Sequence, residues 1–199
     1  MSYWQRKVAL VTGGSAGLGF VIAETLCNRG ASVMLAARDG QRLQEAVGRL
    51  QERGFRASGF ATDVTDAEQV NSLMARTIEE FGRLDILVNN VGRSTRGNVL
   101  DTSPEEFRDL MELNFLSVVR CTQAAAPHLI ESHGHLVNIG SLASKSVSKF
   151  LGAYPASKFA LAAYSQQLRF ELNPQGVHVL LVCPGPIARK DAGQRYDVE

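Results

Sequence analysis

Tyr154 and Lys158 lie four residues apart within Tyr154-Pro155-Ala156-Ser157-Lys158, and together they could move a proton. The stretch opens a helical pattern that runs to about residue 172. Side chains four apart share one helix face, so the phenol and the ammonium can point into the same space. A free tyrosine has a pKa near ~10 and is ionised to only about one part in a thousand at pH 7. A fixed cation favours the phenolate, and lowering that pKa by about three units corresponds to roughly 4 kcal/mol. A tyrosine tuned in this way exchanges protons near neutrality. By itself the spacing also describes an ordinary Tyr and Lys on a helix surface, so the residues upstream decide its meaning.

The first of these is Thr12-Gly13-Gly14-Ser15-Ala16-Gly17-Leu18-Gly19, which follows an apolar run at 7–11 and opens a helical pattern at 17–29. Gly13 and Gly14 allow a tight turn. Gly17 and Gly19 allow close backbone approach, and the free N–H groups of the helix start face an anionic pyrophosphate. A glycine cluster alone often marks only a turn, but its strand–turn–helix context favours a dinucleotide site. A second run, 32–37, ends in Ala36-Ala37-Arg38-Asp39. An acid at this place binds ribose hydroxyls. Here Ala37 stands there and Arg38 follows, which suits a 2′-phosphate through charge and paired N–H donors. Asp39 reads as the N-cap of the next helix, turned away from the ribose; the alternative is that Arg38 is a solvated loop residue. Asn89-Asn90-Val91-Gly92, Ser141 and Pro184-Gly185-Pro186-Ile187 each follow a further apolar run, at the carboxyl edge where such sheets bind ligands.

The elements that must position these groups alternate. Apolar runs at 7–11, 32–37, 55–61, 84–88, 135–139 and 177–182 are separated by helical patterns at 17–29, 41–52, 67–81, 104–132 and 152–172. Asp66 and Ser103 read as N-caps, Gly82 as a helix stop and Pro104 as a first helical residue. Continuous apolar strands between helices predict a parallel sheet covered on both faces. Right-handed crossovers then give a single-domain α/β doubly wound (Rossmann) fold with strand order 3-2-1-4-5-6. The chain has 199 residues, 45% hydrophobic and 21% charged, with a net charge of +1. This suits one globular domain and argues against a strongly basic nucleic-acid surface. No stretch approaches the ~20 apolar residues of a membrane span, and residues 1–7 lack an apolar signal region. Cys27, Cys121 and Cys183 are widely spaced in apolar surroundings and read as reduced, buried thiols in a reducing compartment, hence a cytoplasmic protein. His128, His133, His135 and His178 lack metal-ligand spacing and read as structural or surface residues, so no metal is expected.

In this order, Thr12-Gly13-x-x-x-Gly17-x-Gly19, Asn89-Asn90-Val91-Gly92, Asn114, Ser141, Tyr154-x-x-x-Lys158 and Pro184-Gly185 resemble the short-chain dehydrogenase/reductase family over nearly the whole chain. The resemblance implies that Tyr154 is the general acid/base and that Lys158 lowers its pKa and holds the nicotinamide ribose. Ser141 would hydrogen-bond the substrate oxygen, and Asn114 would sit in a proton relay through water. Cofactor contacts are implied for Gly13, Ser15, Gly17, Leu18, Gly19, Arg38, Asp63, Val64, Asn90, Gly92, Pro184, Gly185 and Ile187, besides Tyr154 and Lys158. Asp63 would lie by the adenine and Ile187 by the nicotinamide carboxamide. Three departures stand out. Val91 replaces a usual Ala, Arg189 a common Thr, and the family's substrate-loop helix and seventh strand are absent, so the domain 1–199 reads as C-terminally incomplete. The polar tail 188–199 reads as a lid that orders over the site. The expectation is hydride transfer between NADP(H) and a carbonyl/secondary alcohol substrate, such as a ketone or 3-oxoacyl-type compound, in a homodimer or homotetramer built on helices 105–132 and 152–172. The rivals are a catalytically silent dinucleotide-binding sensor or scaffold and an NAD-linked alcohol dehydrogenase.

Overall fold

The computed structural model describes residues 3–187. The proposals for Arg189 and for a lid over 188–199 lie outside these residues. Strands β1 (Val8–Thr12), β2 (Ser32–Ala37), β3 (Ala57–Ala61), β4 (Ile86–Asn89), β5 (His135–Ile139) and β6 (His178–Val182) form one sheet in the order 3-2-1-4-5-6. Every pairing is parallel, as the alternation of runs and helices requires. The connecting helices are α1 (Gly17–Asn28), α2 (Gly40–Gln51), α3 (Ala67–Phe81), α4 (Pro104–Met111), α5 (Ser117–Ser132) and α6 (Tyr154–Leu172).

The period-two alternation of the strands sorts the core into two layers. Leu10, Met34, Leu87 and Leu136 point to one face, against Leu73 of α3, Cys121 and Leu129 of α5 and Leu168 of α6. Ala9, Val11, Leu35 and Val88 point to the other, against Ala23 of α1 and Leu43 and Leu50 of α2. Each fully buried Leu contributes about 1.5–3 kcal/mol of transfer free energy. Among the described residues, one side of the last strand is left without cover. On β6, Leu180 is 47% and Val182 41% exposed, because no helix among the described residues lies over that side.

The helix caps follow the sequence. Asp39 accepts the Arg42 N–H at 3.1 Å, Asp66 accepts those of Glu68 and Gln69, and Ser103 accepts that of Glu106 just ahead of Pro104. Gly82 closes α3 in the left-handed conformation. Two boundaries differ. The last long helix begins at Tyr154 rather than 152, because Gly152 adopts φ +52° and belongs to the preceding turn. The expected single helix 104–132 is interrupted by a π-helical turn at Glu112–Leu116, which separates α4 from α5.

Candidate active site

The carboxyl ends of β1, β4, β5 and β6 bring the predicted groups to one rim of the sheet. After β1 the chain turns at Gly13 (φ +64°) into α1. Gly19 is held so close to this turn that an added Cβ would lie 2.2 Å from the Gly13 carbonyl oxygen and 2.5 Å from Asn90 Nδ2. The N-cap of α1 is Ala16, which offers no side-chain acceptor. Where α2, α3 and α4 cap themselves with Asp or Ser, α1 keeps its first N–H groups available, and its first turn carries no acid. This end of α1 suits an anionic group. Asn90 holds the turn from the next strand: its Nδ2 donates to the carbonyls of Thr12 (3.1 Å) and Gly13 (3.2 Å), and its N–H donates to Thr12 Oγ1. The side chain expected to touch a cofactor is thus engaged in fixing the glycine turn.

Lys158 sits on the first turns of α6, 4% exposed, and donates from Nζ to the carbonyl of Ile139 at the end of β5 (2.9 Å). Burial pushes its pKa down to about 8, opposed in small part by the charge of Cys183. Its Nζ lies 6.0 Å from the centroid of the Tyr154 ring, so the four-residue spacing does bring cation and phenol together. The Tyr154 hydroxyl has no hydrogen-bond partner among the described residues. Ser141, just beyond β5, caps a short 3-10 turn (Leu142–Ser144): its Oγ accepts the Ala143 N–H (3.1 Å), while Ser144 Oγ accepts the Ser141 N–H. The Ser141 proton meets no acceptor among the described residues. Leu142 N–H donates to the Pro184 carbonyl, so the segment after β6 anchors the turn that presents Ser141.

Asn114, fully buried in the π-helical turn, accepts the Arg93 N–H on Oδ1 and donates from Nδ2 to the Arg93 carbonyl and to Ser157 Oγ. A Cβ on Gly92 would stand 3.0 Å from Asn114 Oδ1 and 3.4 Å from Lys158 Nζ, so any larger residue would crowd both side chains. Ser144 and Ser157 were not among the candidates. A small hydroxyl residue has no sequence signature until its partners are seen.

At the β2 end, Arg38 is 71% exposed and lies 4.0 Å from Asp63. Partial burial works to raise the Asp63 carboxyl, but the Thr65 N–H and Oγ and the Arg38 charge outweigh it and hold it below the usual carboxylate range. Asp39 is occupied in capping α2, as its position suggested. Val64 is buried and Ile187 exposed. Cys27 and Cys121 are buried free thiols, pushed up to about 11 and about 12 mainly by burial. Cys183 differs from the expectation: it is only half-buried, just past the end of β6. Of the histidines, His135 accepts or donates at Tyr3, with His178 beside it, far from the rim at the amino ends of β5 and β6. A groove of about 760 Å³ lies along Pro155, Ala156 and Phe159 of α6, facing Leu100, Val147 and Phe150. None of these is a candidate site residue.

Comparison with known proteins agrees with this arrangement. Residues 7–197 match the family model described as short chain dehydrogenase. An uncharacterised oxidoreductase of Staphylococcus saprophyticus is 37% identical over 185 residues, 92% of this chain and 79% of that protein. The NADPH-bound structure of a short-chain oxidoreductase from Pseudomonas aeruginosa PAO1, described as containing an atypical catalytic centre, superposes with a TM-score of 0.92 at 31% identity. The match covers 96% of this chain and 76% of that one. A short-chain dehydrogenase/reductase from Burkholderia phymatum, solved with NAD, gives a TM-score of 0.89 at 29% identity over 94% of this chain and 68% of that one. With the glycine turn, the uncapped α1 and the Tyr/Lys/Ser cluster on one rim, these matches show that the chain belongs to the short-chain dehydrogenase family of nicotinamide-dependent oxidoreductases.

Proposed function

We propose that this protein transfers a hydride between NADP(H) and a ketone/secondary alcohol pair, 3-oxoacyl-type compounds included. One observation carries the reading: two hydroxyls, of Tyr154 and Ser141, have no acceptor for their protons among the described residues, and a buried ammonium stands 6.0 Å from the Tyr154 ring. The glycine turn, with no room for a Cβ at Gly19, and the open start of α1 fit a dinucleotide pyrophosphate. When bound, the nicotinamide supplies the hydride, and the protein supplies orientation and proton transfer.

In carbonyl reduction, negative charge develops on the substrate oxygen. Ser141 Oγ donates a hydrogen bond to that oxygen, and Tyr154 passes its proton there. Lys158, protonated below about pH 8, stabilises the phenolate left behind. In alcohol oxidation the proton returns by the same path. Asn114 holds the π-helical turn and Arg93 in place beside Lys158.

NADPH is preferred over NADH because Arg38 is open to solvent at the end of β2 and no acid occupies Ala37. A charge-assisted hydrogen bond contributes about 1.5–3 kcal/mol, roughly ten- to hundred-fold in affinity. A panel of ketones assayed with NADPH and NADH at the nicotinamide absorbance band tests the reading. Turnover with NADPH favoured is expected, and Ala37→Asp with Arg38→Leu should reverse the preference. Equal efficiency with both coenzymes overturns the preference; tight coenzyme binding with no turnover of any ketone favours a silent sensor.

A further inference from the structure

Resting on the reading of Tyr154 as the proton donor, we propose that Ser157 is a positioning residue that fixes the first turn of α6, and with it Tyr154, against Asn114. The argument starts from Asn114. Its amide orientation is settled by one backbone unit: Arg93 N–H donates to Oδ1 (2.9 Å) and the Arg93 carbonyl accepts from Nδ2 (2.9 Å). The second Nδ2 proton therefore points at Ser157 Oγ, 3.0 Å away, which must accept. The Ser157 proton then goes to the Tyr154 carbonyl at 2.8 Å. The result is a one-way chain, Asn114 N–H to Ser157 O–H to Tyr154 C=O. Asn114 and Ser157 are both fully buried, so water cannot replace either partner.

The chain matters because α6 starts without a side-chain cap; besides the Tyr154 N–H to Leu151 carbonyl turn and the Lys158 bond to Ile139, it ties this start to the π-helical turn. Its N-cap is Ala153, already in helical conformation, with no side-chain cap. A helix start of this kind frays unless something holds it. Here the first turn carries Tyr154 and Lys158, and the tie across to the π-helical turn runs through Ser157. Only a group that accepts and donates at once fits between an amide N–H and a carbonyl. A hydroxyl does this; a methyl does neither, and a thiol does both only weakly.

The test compares Ser157→Ala, Ser157→Cys and Ser157→Thr with the parent and with Tyr154→Phe. The direct readout is the titration of the Tyr154 phenol carbon by ¹³C NMR in the NADP⁺ complex, its signal assigned by its absence in Tyr154→Phe. In Ser157→Ala and Ser157→Cys the midpoint should move to higher pH by about half a unit or more, as phenol and ammonium lose their fixed relation. Ser157→Thr, which keeps the hydroxyl, should return it toward the parent value. With the best ketone of the panel, kcat should fall about tenfold or more in the Ala and Cys variants, since small misplacements near the chemistry have large effects. NADPH affinity should fall far less than kcat, since the same turn also carries Lys158, assigned to the nicotinamide ribose, while most of the effect is on the reaction. An unmoved midpoint in both variants overturns the proposal, whatever happens to melting temperature. So does loss of NADPH binding in step with kcat, which marks a general loss of packing. If Tyr154→Phe itself keeps parental activity, the functional reading fails instead, and the two failures are told apart.

Discussion

Lys158 holds a charge in a place that disfavours it. Burial lowers its pKa from 10.5 to about 8, which corresponds to on the order of 3 kcal/mol. Below about pH 8 both folded and unfolded chains carry the proton, and the folded chain bears the full penalty. Between about 8 and 10.5 the folded chain has released it while the unfolded chain keeps it, so this contribution to stability recovers as pH rises. Lys158→Met, without coenzyme, should therefore melt above the parent at pH 7, and the gap should close toward pH 10.5. A variant that melts lower at pH 7 would show that the hydrogen bond to Ile139 outweighs the burial of charge. Activity should be lost in either case. The placement of Tyr154, Lys158 and Ser141 at one rim was legible in the sequence, the first two from their local spacing and Ser141 from its position just beyond an apolar run. Ser157 stands inside the same five residues, yet its role depends on Asn114, 43 positions away, and no periodicity reports that meeting. Asn90 shows the reverse case. Its position was legible, but its side chain serves the glycine turn, a use visible only once β1 and β4 lie side by side.

Among the elements, the glycine turn and the broken helix 104–132 show what patterning can and cannot give. Gly19 was legible as a site of close approach, and the structure supplies the distance that makes it obligatory. In Gly19→Ala the new Cβ would meet the Gly13 carbonyl at 2.2 Å, and backbone cannot swing away as a flexible side chain does. The variant should lose at least about tenfold in NADPH affinity and lower the melting temperature, since forcing atoms into a filled space costs about 1–3 kcal/mol. Coenzyme fluorescence titration and thermal melting check both; parental affinity would contradict the role given to the turn. The π-helical turn at Glu112–Leu116 was not legible, because one extra residue leaves the apolar period on either side nearly intact. It is nonetheless what carries Asn114 to Arg93 and Ser157. The start of α6 was misplaced by two residues for a simpler reason: Gly152 and Ala153 fit a helical pattern, and only the positive φ of Gly152 excludes it.

For the whole molecule, the strand order followed from alternation and crossover handedness, and it brings the carboxyl ends of β1, β4 and β5, with Gly13, Gly92 and Ser141 beyond them, to one rim. Which surfaces stay open did not follow. The apolar groove along Pro155 and Phe159 leaves Leu100 95%, Phe150 60% and Phe159 43% exposed, more apolar surface than isolated surface residues explain. We expect a second copy to cover it, through the helices that the small residues of α6 suggested. Sedimentation velocity at micromolar concentration should give a dimer or tetramer, and Leu100→Glu with Phe159→Glu should give a monomer; a monomeric parent would contradict this. The central claim is that Tyr154 moves the proton. The most direct measurement is the rate of NADPH oxidation by a ketone in Tyr154→Phe, with NADPH affinity measured on the same sample. The substitution keeps the ring and deletes the hydroxyl, so the rate should fall by at least ~10²-fold while affinity stays nearly unchanged. A Phe variant that reduces the ketone at near-parental rate would contradict the assignment.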